Sequence, residues 1–424
     1  MPVLSDDMLA RFAERAPEYD RAGRFFDEDF RELRDAGYLT INVPKELGGG
    51  GMNLAQVCLG QRRLAYYAAP TALAINVHLY WVRVAADLWR KGDKSLEWLL
   101  RGAMKGDVYA AGHAESGNDL PVLLSTSKAE RVDGGYRFNG RKSFGSLTPV
   151  WTYLGMHGMD TSDPNAPKVV HVFMPRDTKG ASIVETWDVL GMRATKSEDT
   201  VLKDVFVPDK LVARIVPAGP AGLDDFVLNI FAWALMGFGN IYYALARKAF
   251  DVIVGTVKNK TSIGLSRPMA YHAEVQHAVA EMAMALEGIE PHLDRVAEAW
   301  SSGKDWGAQW PSKIVAAKQR AVEEGWKVVD LAMDVAGGFG IFRKGGLERL
   351  FRDARLGRVH PANSMLTREI VGRRRWGSGS TSLRGGAKRR LHRDLCEIAG
   401  IGVGDGALCW VLRQEISFLK RSWK

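Results

Sequence analysis

Residues 334–373 read DVAGGFGIFRKGGLERLFRDARLGRVHPANSMLTREIVGR, and the fold turns on this stretch. Gly337-Gly338 makes a turn in which the backbone can approach another group closely, because no Cβ stands in the way. The segment Glu348-Arg349-Leu350-Phe351-Arg352-Asp353-Ala354-Arg355 follows, and then Arg358-Val359-His360-Pro361-Ala362-Asn363-Ser364. His360 is the side chain there that titrates near neutrality when unperturbed. Pro361 beside it has neither an ionisable group nor a backbone N–H.

Upstream, Val275, Val279, Met282, Leu286, Ile289, Leu293, Val296 and Trp300 recur at alternating spacings of four and three. That seam suits a helix in a near-parallel bundle, and Pro291 within it predicts a kink. Val315, Val322, Trp326, Val329 and Met333 mark a second such helix, so 222–372 reads as helical. Between 109 and 217 the pattern changes to short β-type runs such as Val169-Val170-His171-Val172-Phe173. Asn139-Gly140 predicts a hairpin turn there. Residues 1–108 are helical again, with an apolar stripe at Phe26, Phe30 and Leu33 stopped by Gly37. Gly48 to Gly51 reads as a flexible turn and not a phosphate loop, since no Gly-Lys-Ser/Thr follows. The fold class is therefore α+β and multidomain: an N-terminal helical domain, a central antiparallel β domain and a C-terminal four-helix bundle.

Composition narrows the function. A chain of 424 residues exceeds the reach of one growing core, and 46% hydrophobic with 25% charged residues is ordinary for a globular protein. No run of 18 apolar residues argues for a membrane span, and the acidic start lacks the order of a signal peptide. Three scattered cysteines support neither a disulfide framework nor a thiolate metal site. A cytoplasmic location and no metal are the expectations. The net charge of +9 does not point to nucleic acid, because residues 373–424 alone hold 12 Lys and Arg against 4 Asp and Glu. That Arg-, Gly- and Ser-rich stretch is an atypical basic tail without periodicity, consistent with disorder. An extension that binds something acidic, an appended segment and translation in a shifted frame all fit it. The abrupt change of composition favours the last, and GC bias by codon position staying in phase across codon 372 would dismiss it.

Helix, sheet and long-helix bundle in this order, with the paired-glycine turn and the ERLFRDAR segment, resemble the acyl-CoA dehydrogenase family over nearly all of 20–372. In that family's usual pattern the segment after RDAR runs like R-I-Y-E-G-T-S, and its glutamate removes the substrate α-proton. Here Pro361 occupies that place, and the family's alternative base position falls on Asn229-Ile230. The resemblance implies FAD as cofactor. Gly112 to Asp119 is similar to a T-E-P-G-x-G-S-D loop, which gives Gly117 to the cofactor and Asn118 to the substrate. Lys142-Ser143-Phe144-Gly145-Ser146 resembles a K-x-W-I-T/S segment, which puts Phe144 on a flavin face and Ser146 at its N5/O4 edge. Leu190 to Thr195 with Val205 to Pro208 is similar to a further turn near the cofactor. Lys260, Gly337 and Gly338 match positions that touch FAD of a neighbouring subunit, which implies a homodimer or homotetramer.

With both usual carboxylates replaced, His360 is the candidate catalytic residue; Ser364, His113 and Glu198 have no spacing argument behind them. The leading expectation is desaturation of an acyl-CoA or acyl-carrier thioester at Cα–Cβ, with an electron-transfer partner. The alternatives are a reduced-flavin monooxygenase of the same fold that uses His360 and a flavin reductase, and a non-catalytic homologue that has lost its base.

Overall fold

The computed structural model describes residues 3–375; residues 376–424, most of the basic tail, lie outside the described residues. Local rules shape the first helices. Ser5 accepts the Met8 amide at 3.2 Å to start α1 (Asp6–Ala22), and Gly23 ends it in the left-handed conformation. Helix α2 (Asp27–Asp35) turns Phe30 and Leu33 into the core, and Gly37 at φ +75° follows its end. Asn53 and Gln56 cap α3 (Leu54–Arg90) reciprocally. That helix leaves helical dihedrals at Ala68, two residues before Pro70, as a proline ring requires of the turn preceding it. Helix α4 (Glu97–Met104) leads into the sheet.

The glycine run is folded tightly, contrary to the flexible turn expected. Gly49 N donates to Pro44 O at 3.1 Å, Gly50 N to Thr40 O at 3.1 Å and Gly51 N to Val43 O at 2.8 Å. A Cβ on Gly49 would stand 2.4 Å from the Val43 carbonyl oxygen, so glycine is needed for the close approach of two backbones. Gly49→Ala is expected to lower stability by about 1–3 kcal/mol, as overpacking does. Urea unfolding measures it, and an unchanged midpoint would contradict the packing argument.

Eight strands form one sheet: β1 (Tyr109–Gly112), β2 (Lys128–Val132), β3 (Gly135–Gly145), β4 (Tyr153–Asp160), β5 (Lys168–Pro175), β6 (Ala181–Val184), β7 (Glu198–Pro208) and β8 (Val212–Pro217). Their order is β6-β7-β3-β2-β4-β5-β8, with β1 on β4. The sheet is mixed and not purely antiparallel, because β1 runs parallel to β4 and β2 meets β4 in parallel at Lys128↔Met159. Strand patterning shows which residues extend but not which neighbour they meet. The expected turn at Asn139-Gly140 lies instead inside β3, as a bulge where the register against β7 shifts. Asp133-Gly134 makes the β2–β3 turn, with Gly134 at φ +73°. Asn139 serves the bulge: its Nδ2 donates to Asp204 Oδ1 at 3.1 Å and its Oδ1 accepts the Asp204 amide at 2.9 Å.

Asp224 caps α5 (Asp225–Asn259) through the Val227 amide at 3.0 Å. This helix is long and apolar enough to cross a membrane, but 89% of its most apolar window is buried against the rest of the protein. It packs along α3 and along α7 (Trp310–Ala336). The α6 seam (Ala273–Ser301) buries Val275, Met282, Leu286, Ile289, Leu293 and Val296 in keeping with the heptad spacing and leaves Val279 and Trp300 half-buried. Pro291 lies inside α6, and the helix continues through it as one element. Short helices α8 (Leu347–Arg355) and α9 (Ser364–Arg375) follow, with the His360 segment between them.

Candidate active site

A cavity of about 630 Å³ opens between α3, the sheet, α5 and the segment that joins α8 to α9. Val77 of α3 and Ile230, Ala234 and Phe238 of α5 give it an apolar wall. The facing wall comes from the sheet. There Phe144 sits at φ +59°, a left-handed conformation rare for an aromatic residue, with its side chain exposed. Its ring meets Trp187 edge-on at 5.9 Å. Beside them runs a row of hydroxyls: Ser146 Oγ lies 2.8 Å from Ser197 Oγ, which lies 2.7 Å from Thr195 Oγ1. The indole N–H of Trp187 is buried and has no hydrogen-bond partner. Glu198, a weaker candidate from sequence, holds that corner by accepting the Thr186 and Trp187 amides at 2.5 and 2.8 Å.

Below this wall lies a buried ion pair, Glu115 with Lys142. Glu115 also accepts Ser125 Oγ at 2.7 Å, Ser127 Oγ at 2.6 Å and the Thr126 amide at 2.9 Å. Burial raises its carboxyl pKa, but the Lys142 ammonium and these donors outweigh that and hold it at about 2. Burial brings Lys142 down to about 8, so both groups are charged at neutral pH. Asn118 lines the cavity and braces this pair: its Nδ2 donates to Glu115 Oε2 at 3.1 Å and to Leu124 O at 2.7 Å. Gly117, at φ +76°, turns the chain just before it. His113, also on the cavity wall, has an unpartnered Nε2.

His360 faces the same cavity from the opposite end of the chain. Its ring stacks on Phe238 at 4.5 Å, and Nε2 lies 2.8 Å from the Tyr242 hydroxyl. Burial, reinforced by the Lys318 ammonium, lowers its pKa to about 3, so the imidazole is neutral. Asn229, at the alternative base position, is buried and donates to Asp225 O at 2.7 Å, and its neighbour Ile230 lines the cavity. Among the described residues two carboxylates line the cavity, Glu115 within its ion pair and Asp119, which is exposed.

The structure thus brings Asn118, Phe144, Ser146, Thr195 and His360 together in one cavity. It does not bring Lys260, Gly337 or Gly338 there. Lys260 Nζ donates to Ala336 O at 2.9 Å at the end of α7, beside the two exposed glycines. Ser364 begins α9 and Arg193 packs near Gly23, neither of them lining the cavity. Trp187, Ser197, Tyr242 and Lys318 were missed from sequence, and Lys142 was seen only as the first residue of the segment that holds Phe144 and Ser146. Of the missed residues Lys318 alone left a signal: it falls between Val315 and Val322 on the apolar seam of α7.

A flavin suits this donor set: an exposed aromatic face, an unpartnered indole N–H, a hydroxyl row and an apolar slot. The comparisons agree on the lineage. Residues 6–94 match the acyl-CoA dehydrogenase N-terminal domain and residues 226–375 its C-terminal domain. A Bacillus subtilis (strain 168) protein named "Putative acyl-CoA dehydrogenase YdbM" is 30% identical over 82% of this chain and 90% of its own. The L-evernosamine nitrososynthase of a Micromonospora species is 27% identical over 82% of this chain and 83% of its own. Among solved structures, KijD3 in complex with FMN and dTDP-3-amino-2,3,6-trideoxy-4-keto-3-methyl-D-glucose superposes with a TM-score of 0.77. It is 25% identical, with 89% of this chain and 93% of that one covered. Fold and cavity are those of a flavoprotein oxidoreductase. The chain belongs to the acyl-CoA dehydrogenase family.

Proposed function

We propose that the chain is a monooxygenase working on reduced flavin from a separate reductase, in place of the thioester desaturation expected first. The observation that carries this reading is the protonation chemistry of the cavity. Of the two lining carboxylates, Glu115 is bound by Lys142 and several further donors, and Asp119 is exposed. His360 is neutral, with its pKa at about 3. Such an imidazole has too little proton affinity to keep a proton drawn from carbon. Its N–H can still donate to an oxygen atom that gathers negative charge.

Reduced flavin, when bound, supplies the electrons that activate dioxygen. Phe144 would lie against its ring, with Trp187 Nε1 and the Ser146 and Ser197 hydroxyls toward its polar edge. Tyr242 fixes the His360 ring through Nε2, and among the described residues Nδ1 has no hydrogen-bond partner. The two tautomers of that pair place a donor or an acceptor at Nδ1, so the ring can give or take a hydrogen bond as charge develops. Ile230, Ala234 and Phe238 keep water from that side.

The test has two arms. Stopped-flow mixing of protein with reduced FMN or FAD and dioxygen should show reoxidation kinetics that differ from free flavin, and equilibrium dialysis should favour the reduced form. His360→Ala is expected to change the reoxidation rate by at least about tenfold, the scale of a lost preorganised donor, while flavin binding persists. In the other arm, an anaerobic panel of acyl-CoA thioesters is titrated into protein carrying oxidised FAD. Bleaching by any of them would overturn the proposal and reinstate desaturation.

A further inference from the structure

Lys318 is a lysine at the centre of a helical bundle, with 0% of its surface exposed. Among the described residues no carboxylate lies within 4.0 Å of its Nζ, and Glu323 pairs with Arg358 instead. Its Nζ reaches two backbone carbonyls, Ala362 O at 3.3 Å and His360 O at 3.4 Å. Glu323, the acid that acts on it from one turn along α7, is itself engaged by Arg358 at 3.0 Å and Gln319 at 3.1 Å. Burial therefore dominates, lowering the ammonium to about 8 and leaving it charged at neutral pH. A buried ammonium with two long carbonyl contacts is destabilising relative to an apolar side chain of equal volume. Methionine would fill the same space without desolvating a charge.

Both carbonyls belong to one strained loop. Ala362 has φ +57°, and a non-glycine residue in that region is held there by its surroundings. Pro361 restricts the residue before it, His360, to extended backbone, observed at φ −63° and ψ 154°. The extended His360 followed by the left-handed Ala362 aims the imidazole at Phe238 and Tyr242. Two side chains oppose the loop's relaxation: Lys318, and Thr367, whose Oγ1 donates to Ala362 O at 3.0 Å.

We propose that Lys318 is a positioning residue, which clamps the backbone of His360 and Ala362 from inside the bundle and so presents the His360 ring to the cavity. The inference rests on His360 being the working group of the proposed function, but the clamp can be read without turnover. Lys318 and Tyr242 from α5 act on the ring itself; Asp353 from α8 acts on Tyr242, and Glu323 from α7, engaged by Arg358, acts on Lys318.

The test uses the full chain labelled with [15N]histidine, with the His360 ring signals assigned by their loss in His360→Ala. In Lys318→Met, those signals are expected to shift as the Tyr242 hydrogen bond is lost. The thermal midpoint should stay level or rise, because a buried charge has gone. Reoxidation of bound reduced FMN should move toward the His360→Ala value by roughly tenfold or more, the scale of a misplaced reacting group. A residue that only filled the core would lower the midpoint and leave the ring signals in place, which overturns the proposal. If Lys318→Met does not fold, Thr367→Val releases the same carbonyl from the other side and should shift the same signals by less; unmoved signals there also overturn it. Should the signals shift while His360→Ala leaves reoxidation unchanged, the clamp stands and the oxygenase reading falls.

Discussion

Glu115→Leu is expected to destabilise the protein by about 3–5 kcal/mol, the scale for removing one partner of a buried ion pair. It should exceed the loss in Lys142→Met. The asymmetry follows from the hydrogen bonds each charge retains. Without Lys142, Glu115 still accepts Ser125 Oγ, Ser127 Oγ, the Ser127 and Thr126 amides and Asn118 Nδ2. A carboxylate so solvated by the protein remains ionised and bonded. Without Glu115, Lys142 keeps the His157 carbonyl and a distant Ser125 Oγ at 3.4 Å. The buried Ser127 hydroxyl is then left without its acceptor, and a buried donor stranded in this way costs roughly 1–3 kcal/mol. Because Asn118 and His113 sit on the same corner, the cavity wall should loosen along with the sheet. Equilibrium urea unfolding of the two variants decides it: equal losses, or a larger loss for Lys142→Met, would refute the ordering.

Much of this architecture was legible because it repeats. The α6 seam needed only its 4-3 spacing, and the buried set found in the structure follows that spacing without a break from Met282 to Val296. Single residues with distant partners were not legible. Asn139-Gly140 looks like a turn, but β7 lies alongside and Asp204 captures the asparagine, so the pair becomes a bulge. Gly48 to Gly51 looks flexible, but the glycines are there so that the chain can lie against Val43 and Ile41. Lysines are normally exposed, so nothing in the sequence marks Lys142 as buried. His360 stood out because its segment follows ERLFRDAR, whereas Tyr242, its hydrogen-bond partner, lies 118 residues earlier in the chain. The cavity is a tertiary object: its apolar wall reads as ordinary helix core until the sheet is placed against it.

The protein is also expected to lose stability steeply between pH 6 and 5. Five histidines, His78, His113, His157, His171 and His360, are held by burial well below their ordinary proton affinity, and burial lowers His292 in the same direction. For a group whose folded pKa is depressed, the unfolded chain binds protons that the folded chain refuses. Stability is therefore lost as pH falls through the ordinary histidine value of about 6.5. Two carboxyls act in the opposite sense. Burial raises Asp29 to about 7 and Asp353 to about 6, so over this range the folded state holds protons that the unfolded state has released. The five strongly depressed histidines against the two carboxyls leave the unfolded chain at least about three protons richer, a slope of roughly 4 kcal/mol per pH unit or more. Typical total stabilities are about 5–15 kcal/mol, so one or two such units are a large fraction of the whole. Thermal midpoints measured at pH 7, 6, 5.5 and 5 test this, and a level profile would refute it. His171 offers a finer check, since neither ring nitrogen has a partner and its ring packs against His157 and Phe226. His171→Phe removes a titrating group without breaking a hydrogen bond, and should flatten the profile by one proton, about 1.4 kcal/mol per pH unit.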